Sequence, residues 1–415
     1  MKTIVVGGGV IGASVAYHLA RDDAGEVLLI ERDRLSAGTT WHSASNITWK
    51  PLADHDRPVM AVLQTVSELE AAGFPTGWLK TGRLFLGGQS STLKCYDEFD
   101  QAARAAGLGS RWLSHAEAAS LNPHLAAEKL EGIWFNPLSG RLNPTDLTQA
   151  YARAAQRLGA KILEGTAVIS IAAESGRVIG VDTADSRIKA DRVVLAAGLW
   201  SRALLLPLGV HLAQWACEHF YILADVAPRL RRETPSFVAP DDLLYGREEV
   251  GSLLLGCFDE GAKTIDAAAL PEPFTFTLLA PDWEKMAPYV ERAIELFPVL
   301  GTAPVRRFVN GPESFTPDGL PLIGPVPGCD GLIIATAMNS TGVTWSALAG
   351  SLVASSVAER EPQFPAEPYA PSRFGDRAAD VDWLKGAISA IVSSGYRKAA
   401  LGPGTQWGGG SIREQ

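Results

Sequence analysis

The chain opens on an apolar run, Thr3-Ile4-Val5-Val6, whose β-branched bias predicts a buried strand. Gly7-Gly8-Gly9-Val10-Ile11-Gly12 follows at once. Ala13 to Arg21 then carries apolar residues, Val15 and Leu19 among them, at helical spacing. A second apolar run, Glu26 to Ile30, predicts another strand and ends at Glu31. Further on, periodicity predicts helices over 57–73, 93–108, 147–158, 283–296 and 344–358. Strands are expected over 82–87, 160–163, 167–171, 187–196 and 332–337. The stretch from about 204 to 300 is strand-rich, with 218–223, 244–249 and 251–258 as its clearest members. Ser114 with Glu117 three residues later forms a capping-box pattern for a short helix ending near Leu121.

Strand, G-x-G-x-x-G, helix, strand, acid is one βαβ unit of the dinucleotide-binding kind. Gly7 permits the tight turn. Gly9 lets backbone approach a pyrophosphate, flanked by Val10 and Ile11, and Gly12 lets the helix pack closely on the strand. The helix N-terminus offers amides and a positive dipole end to the phosphates. Glu31 falls where a carboxylate accepts from ribose hydroxyls. A purely structural glycine turn would leave Glu31 unexplained. FAD and NAD share this fingerprint, so the unit alone leaves both open.

Composition narrows the class. A chain of 415 residues has room for two domains, and 47% hydrophobic with 20% charged residues is ordinary for a soluble enzyme. A net charge of -9 argues against nucleic acid or an anionic membrane as partner, because both are polyanions. The four cysteines, Cys95, Cys217, Cys257 and Cys329, form no C-x-x-C pair, so neither a disulfide framework nor a metal site is expected. With no signal peptide ahead of the first strand and no apolar run long enough to span a bilayer, a cytoplasmic location is expected.

Ser36-Ala37-Gly38-Thr39-Thr40-Trp41-His42 comes next, a small, hydroxyl-rich turn ending in Trp-His. Here the sequence resembles the dimethylglycine and sarcosine dehydrogenase family of amine-oxidising flavoproteins, relatives of D-amino-acid oxidase. Gly140-Arg141-Leu142-Asn143-Pro144 is similar to that family's turn returning to the FAD domain. Ala197-Gly198-Leu199-Trp200-Ser201 resembles its second glycine-containing FAD turn. The stretch from Val309 to Gly324, with Glu313 and Gly324 in it, follows the family pattern almost letter for letter. Asn339-Ser340-Thr341-Gly342-Val343 then makes another small-residue turn between a strand and a helix, whose amides would face the flavin's pyrimidine edge. The resemblance covers nearly the whole chain but only the oxidising half of the long relatives. Their folate-binding aminomethyltransferase domain is absent.

The resemblance implies FAD as cofactor, covalently held through His42. It implies flavin contacts at Arg32, Gly38, Thr39, Thr40, Trp41, Ala197, Gly198 and Trp200, and an adenine contact at Val168. Glu218-His219-Phe220-Tyr221 and Leu244-Tyr245-Gly246-Arg247 resemble two strands whose His and first Tyr face the substrate, which makes His219 and Tyr245 the catalytic candidates. Two departures stand out: Ser45 replaces a family glycine, and Gly246 replaces an aromatic, which would enlarge the local space or mark a bulge.

The expected fold is α/β. A discontinuous Rossmann-like FAD domain would take 1–85, 145–210 and 305–360, and an α+β substrate domain with an antiparallel sheet 86–144 and 211–304. A linker, a short helix and a disordered tail would occupy 361–415. The implied reaction is oxidation of a secondary or tertiary N-methyl amine or amino acid by hydride transfer to flavin N5, giving an iminium that hydrolyses. The implied partners are a small-molecule amine and either oxygen or an electron-transfer protein. Other classes stay open: an FAD-binding subunit associated with other subunits of an amine dehydrogenase complex, a nicotinamide-dependent dehydrogenase, and a non-catalytic nucleotide-binding protein.

Overall fold

A computed structural model of the chain describes residues 1–50 and 56–401. The expected disordered tail, 402–415, lies outside the described residues. The opening unit forms as read: strand Lys2–Val6, helix Val10–Arg21, strand Glu26–Ile30. The two strands pair in parallel and sit at the centre of a six-stranded sheet. Lys161–Leu163 extends it on one side; Arg192–Leu195 and Leu332–Thr336 extend it in parallel on the other, and Leu322–Pro325 closes that edge antiparallel. Parallel strands covered on both faces read as continuous apolar runs, and Ile4, Val5, Leu29, Val194, Leu195 and Ile334 are fully buried.

The expected strand 187–196 is two strands. Arg187–Lys189 belongs to a three-stranded antiparallel sheet, and Arg192–Leu195 to the parallel one. Between them the Asp191 carboxylate accepts from the Lys2 amide at 2.7 Å, pinning the crossover between sheets. Apolar periodicity carries no mark of such a change of partner.

A second, nine-stranded sheet forms the other half of the molecule. Its middle runs Trp215–Ala224, Ser252–Cys257, Leu244–Glu249, Ser236–Ala239, Arg83–Gly87. All of these pairs are antiparallel except Ser236–Ala239 with Arg83–Gly87. The long strand Val305–Phe315 pairs with Trp215–Ala224 along its full length. Residue 85 lies inside one strand of this sheet and residue 305 begins another. Gly246 neither bulges nor opens space: its register is unbroken. A Cβ there would lie 2.5 Å from the Phe237 ring and 2.5 Å from the Leu254 carbonyl oxygen, so Phe237 fills the place of the missing aromatic.

Gly140–Arg141, expected as a turn, pairs with Asn46–Ile47 as a two-residue ladder. That pairing ties the segment after His42 to the start of helix Pro144–Arg157, which Asn143 caps. The Ser114–Glu117 capping box forms on helix His115–Leu121. No helix of the described residues is long and apolar enough to cross a membrane.

Candidate active site

Two cavities meet between the sheets. The first, about 300 Å³, lies against the C-terminal ends of the parallel strands, where open α/β sheets bind ligands. Its walls include Gly7, Gly9, Val10, Ile11, Glu31, Arg32, Gly38, Thr39, Thr40, Val168, Ala197, Gly198, Trp200, Asn339, Ser340, Gly342 and Val343. These are most of the sequence-predicted cofactor residues, drawn from six separate stretches of chain.

The glycine turn is built as its spacing requires. Gly7 has φ +109°, and a Cβ on it would sit 2.5 Å from the Ala196 carbonyl oxygen. A Cβ on Gly12 would sit 1.8 Å from the Gly7 carbonyl oxygen. Gly12 is thus a packing glycine, off the cavity wall. Glu31 accepts from the Gly8 amide at 2.6 Å and the Asp33 amide at 2.9 Å. Burial raises its pKa, and the two amides oppose that rise. The Arg32 guanidinium stacks 4.3 Å from the Trp200 ring centroid. A Cβ on Gly38 would approach that ring to 3.3 Å, so Gly38 leaves room for the indole.

Two long helices start at this cavity with no cap from their own N-cap side chains, Val10–Arg21 behind Gly9, where the Val10 amide donates to Thr40 Oγ1 at 3.1 Å, and Gly342–Val357 behind Thr341. First-turn amides that stay free suit an anionic ligand. Ahead of the second helix, Ala337, Asn339 and Ser340 all have positive φ, at 53°, 49° and 63°. The Asn339 side chain holds this turn: its carbonyl accepts from the Thr316 amide at 2.9 Å, and its amide donates to the Ala337 carbonyl at 2.7 Å.

The second cavity is larger, about 640 Å³. Ser43, Glu313, Ser340 and Val343 wall both cavities, so the two adjoin there. His42 faces the second cavity beside this junction, only 4% exposed. Its Nε2 has no hydrogen-bond partner. Burial pushes its pKa down to about 4, with nearby Glu313 opposing and His219 adding to the fall. The imidazole is therefore neutral at pH 7, with a free nitrogen beside the cavity wall. Gly311 backs the ring: a Cβ there would lie 2.3 Å from the ring carbon Cε1 and 2.6 Å from Nε2.

The loop carrying His42 is tied at both ends. Thr39 donates to the Pro312 carbonyl at 3.2 Å, and Arg247 Nε donates to the Ala44 carbonyl at 2.7 Å. Trp41 supports the ring edge-on at 5.7 Å and packs on Phe276. It lines neither cavity, so its place is behind His42. Ser45 has φ +50°, the left-handed region. Where the resemblance expected a glycine, Ser45 thus takes a backbone conformation that favours glycine.

His219 and Tyr245 face the same cavity from neighbouring strand pairs. His219 Nε2 and the Tyr245 hydroxyl are 2.9 Å apart, with the rings parallel. Thr341 also lines this cavity. Gly324 lies in the edge strand Leu322–Pro325 and lines neither. Cys329 packs in the core cluster around Leu195 and Leu332, away from both cavities.

Four charged residues of the second cavity were not singled out as site residues from sequence: Lys50, Arg57, Arg83 and Glu313. Arg83 had a signal, a cation at the head of the apolar run Leu84-Phe85-Leu86. Among the described residues no group of three His, Cys, Asp or Glu side chains is placed to hold a metal ion.

The cradle fits FAD: helix N-termini for phosphates, a carboxylate at the ribose position, small residues on the walls, and a buried imidazole nitrogen awaiting a partner. Comparison with known proteins agrees. The chain is 31% identical over 392 residues to 4-methylaminobutanoate oxidase (formaldehyde-forming) of Paenarthrobacter nicotinovorans, covering 93% of this chain and 47% of that one. It is 31% identical over 387 residues to mitochondrial sarcosine dehydrogenase of Homo sapiens, covering 91% and 42%. The chain thus spans less than half the length of these relatives. Among solved structures, glycine oxidase from Geobacillus kaustophilus superposes with a TM-score of 0.73 at 25% identity, covering 89% of this chain and 98% of that one. Residues 2–356 match the FAD dependent oxidoreductase (DAO) family, and the chain belongs to it.

Proposed function

We propose that this protein oxidises an N-methyl amine or amino acid with FAD in the first cavity and the amine in the second. One observation carries the reading: Ser43, Glu313, Ser340 and Val343 wall both the nucleotide cavity and the second cavity, and His42, His219 and Tyr245 line the second. Bound FAD supplies the acceptor for a hydride from the carbon next to nitrogen, leaving an iminium that water hydrolyses.

The chain's own residues bind, orient and manage protons. Glu31 accepts from the ribose, and the first turns of the two helices meet the anionic groups. His42 holds the cofactor covalently, because its neutral ring presents a free Nε2 that packing against Gly311 fixes in place. The amine must lose its proton before hydride leaves, since only the free base has a lone pair to donate. His219, bonded to Tyr245, is the group within the cavity suited to take it. The tyrosine holds the imidazole in orientation.

The names of the two relatives denote enzymes acting on N-methyl amino acids, which supports this substrate class. The test is anaerobic mixing of the flavin-loaded protein with a panel of N-methyl and unmethylated amines. Bleaching of the flavin band by N-methyl compounds, with formaldehyde released, is expected. An unchanged spectrum across the whole panel contradicts the proposal.

A further inference from the structure

Strand Val305–Phe315 carries a carboxylate on the face that backs His42. Gly311 and Glu313 alternate onto that face, and the His42 ring packs against Gly311, with no room for a Cβ between them. Glu313 stands next along the same face, at the wall the two cavities share. It is 6% exposed, and its Oε2 is buried with no hydrogen bond. A buried carboxylate oxygen left unbonded is costly until a positive charge comes to it. Two imidazoles lie near enough to supply one. His219 sits opposite Gly311 in the ladder, but its Nε2 already bonds the Tyr245 hydroxyl. His42 is the other: its Nε2 has no partner, and the charge of Glu313 opposes the fall in its pKa that burial causes.

From this arrangement we propose that Glu313 drives the attachment of the cofactor to His42, as counter-ion to the positive charge the imidazole acquires when its Nε2 forms the bond. The inference rests on the reading of His42 as the attachment point, and assigns Glu313 to making the link and not to holding the nucleotide. A neutral imidazole attacks through the Nε2 lone pair. It then carries a positive charge until its other nitrogen sheds a proton. At 4% exposure little water reaches that charge, so a fixed carboxylate supplies the stabilisation that solvent would otherwise give. Bound FAD supplies a ring methyl carbon that bonds Nε2 and releases one hydrogen as a proton, and the two electrons left behind pass to dioxygen, which takes up that proton and the imidazole's to leave as hydrogen peroxide. The strand fixes where the charge stands. Glu313 is held in the ladder opposite Cys217, so it keeps its place whatever the loop carrying His42 does.

The test is a time course of attachment in air. Flavin-free protein is mixed with excess FAD, samples are precipitated in acid at intervals, and the flavin held in the pellet is measured against protein. Reversible affinity is read separately, by fluorescence titration with FAD in a His42→Ala background. Glu313→Gln keeps the shape of the side chain and removes its charge, so it should attach flavin about tenfold more slowly than the parent or slower still. Adding Glu313→Gln to His42→Ala should leave reversible affinity where His42→Ala alone has it. Glu313→Asp, which keeps the charge, should attach flavin faster than Glu313→Gln. Attachment by Glu313→Gln at the parent's rate overturns the proposal. So does a loss of reversible affinity as large as the loss of attachment rate, which would make Glu313 a packing residue of the cradle. An aspartate variant no faster than the glutamine variant overturns it too, because charge would then play no part. A parent protein that leaves all its flavin in the supernatant removes the His42 reading and the role of Glu313 together. A parent that attaches flavin no faster than Glu313→Gln removes only the role of Glu313.

Discussion

Glu31 and Ser45 illustrate how single positions set the cofactor site. The Glu31 carboxylate bridges the amides of Gly8 and Asp33, holding the glycine turn to the end of the second strand while facing the cavity. Glu31→Ala should weaken FAD loading by about 1–3 kcal/mol through loss of charge-assisted bonds. Loading is best measured in a His42→Ala background, where a covalent link cannot mask the loss; unchanged affinity there would remove Glu31 from the site. Ser45 sits at φ +50°, a conformation that costs an L-residue about 1–2 kcal/mol. Its amide donates to the Ser43 hydroxyl at 3.1 Å, which helps hold the turn. Ser45→Gly should therefore fold and load flavin like the parent. Ser45→Val, β-branched in the same conformation, should lower the thermal midpoint and the fraction of flavin retained. A Val variant matching the Gly variant in both would mean the loop relaxes without strain.

At the scale of elements, strand Val305–Phe315 does the most for the site. It pairs with Trp215–Ala224 in one register from Phe315 back to Arg307, which sets Gly311 opposite His219 and Glu313 opposite Cys217. Alternation along a strand then puts Gly311 and Glu313 on one face, the face toward His42. Gly311→Ala leaves the ladder's hydrogen bonds intact but drives a methyl into the imidazole. The expected variant folds, binds FAD reversibly and has lost the covalent link; ultrafiltration after acid treatment reads this directly. Retained covalent flavin in Gly311→Ala would show that His42 has room the packing denies it. This juxtaposition also marks what sequence reading cannot reach. The glycine turn, its strand and Glu31 are consecutive and local, so spacing alone revealed them. His219, Tyr245 and the Trp-His turn came from family resemblance. Arg83 and Lys50 face one cavity only because distant strands pair, and nothing local to either records the other. The split of 187–196 into two sheets and the filling of the Gly246 site by Phe237 are likewise products of pairing.

Over the whole molecule, acid should act through two buried imidazoles. Burial pushes His18 and His42 each down to about 4. His18 is held between helices by Ser14, its ring nitrogen Nδ1 lying 2.8 Å from the Ser14 carbonyl. In the unfolded chain both titrate near 6.5. Below that pH the unfolded state takes up protons that the folded state refuses, so stability falls as pH drops from about 6.5 toward 4. Each group accounts for at most about 3 kcal/mol at the acid end. Urea midpoints of the flavin-free protein across this window should decline, and His18→Gln should flatten part of the decline. A flat profile for the parent would mean that both rings are protonated when folded.

The account turns on His42, where the two cavities meet. The most direct measurement is mass analysis of the peptide containing His42, taken from protein precipitated in acid after loading with FAD. The flavin should stay with the pellet, and that peptide should be heavier by one FAD. Flavin found wholly in the supernatant of a fully loaded sample, with an unmodified His42 peptide, would contradict it.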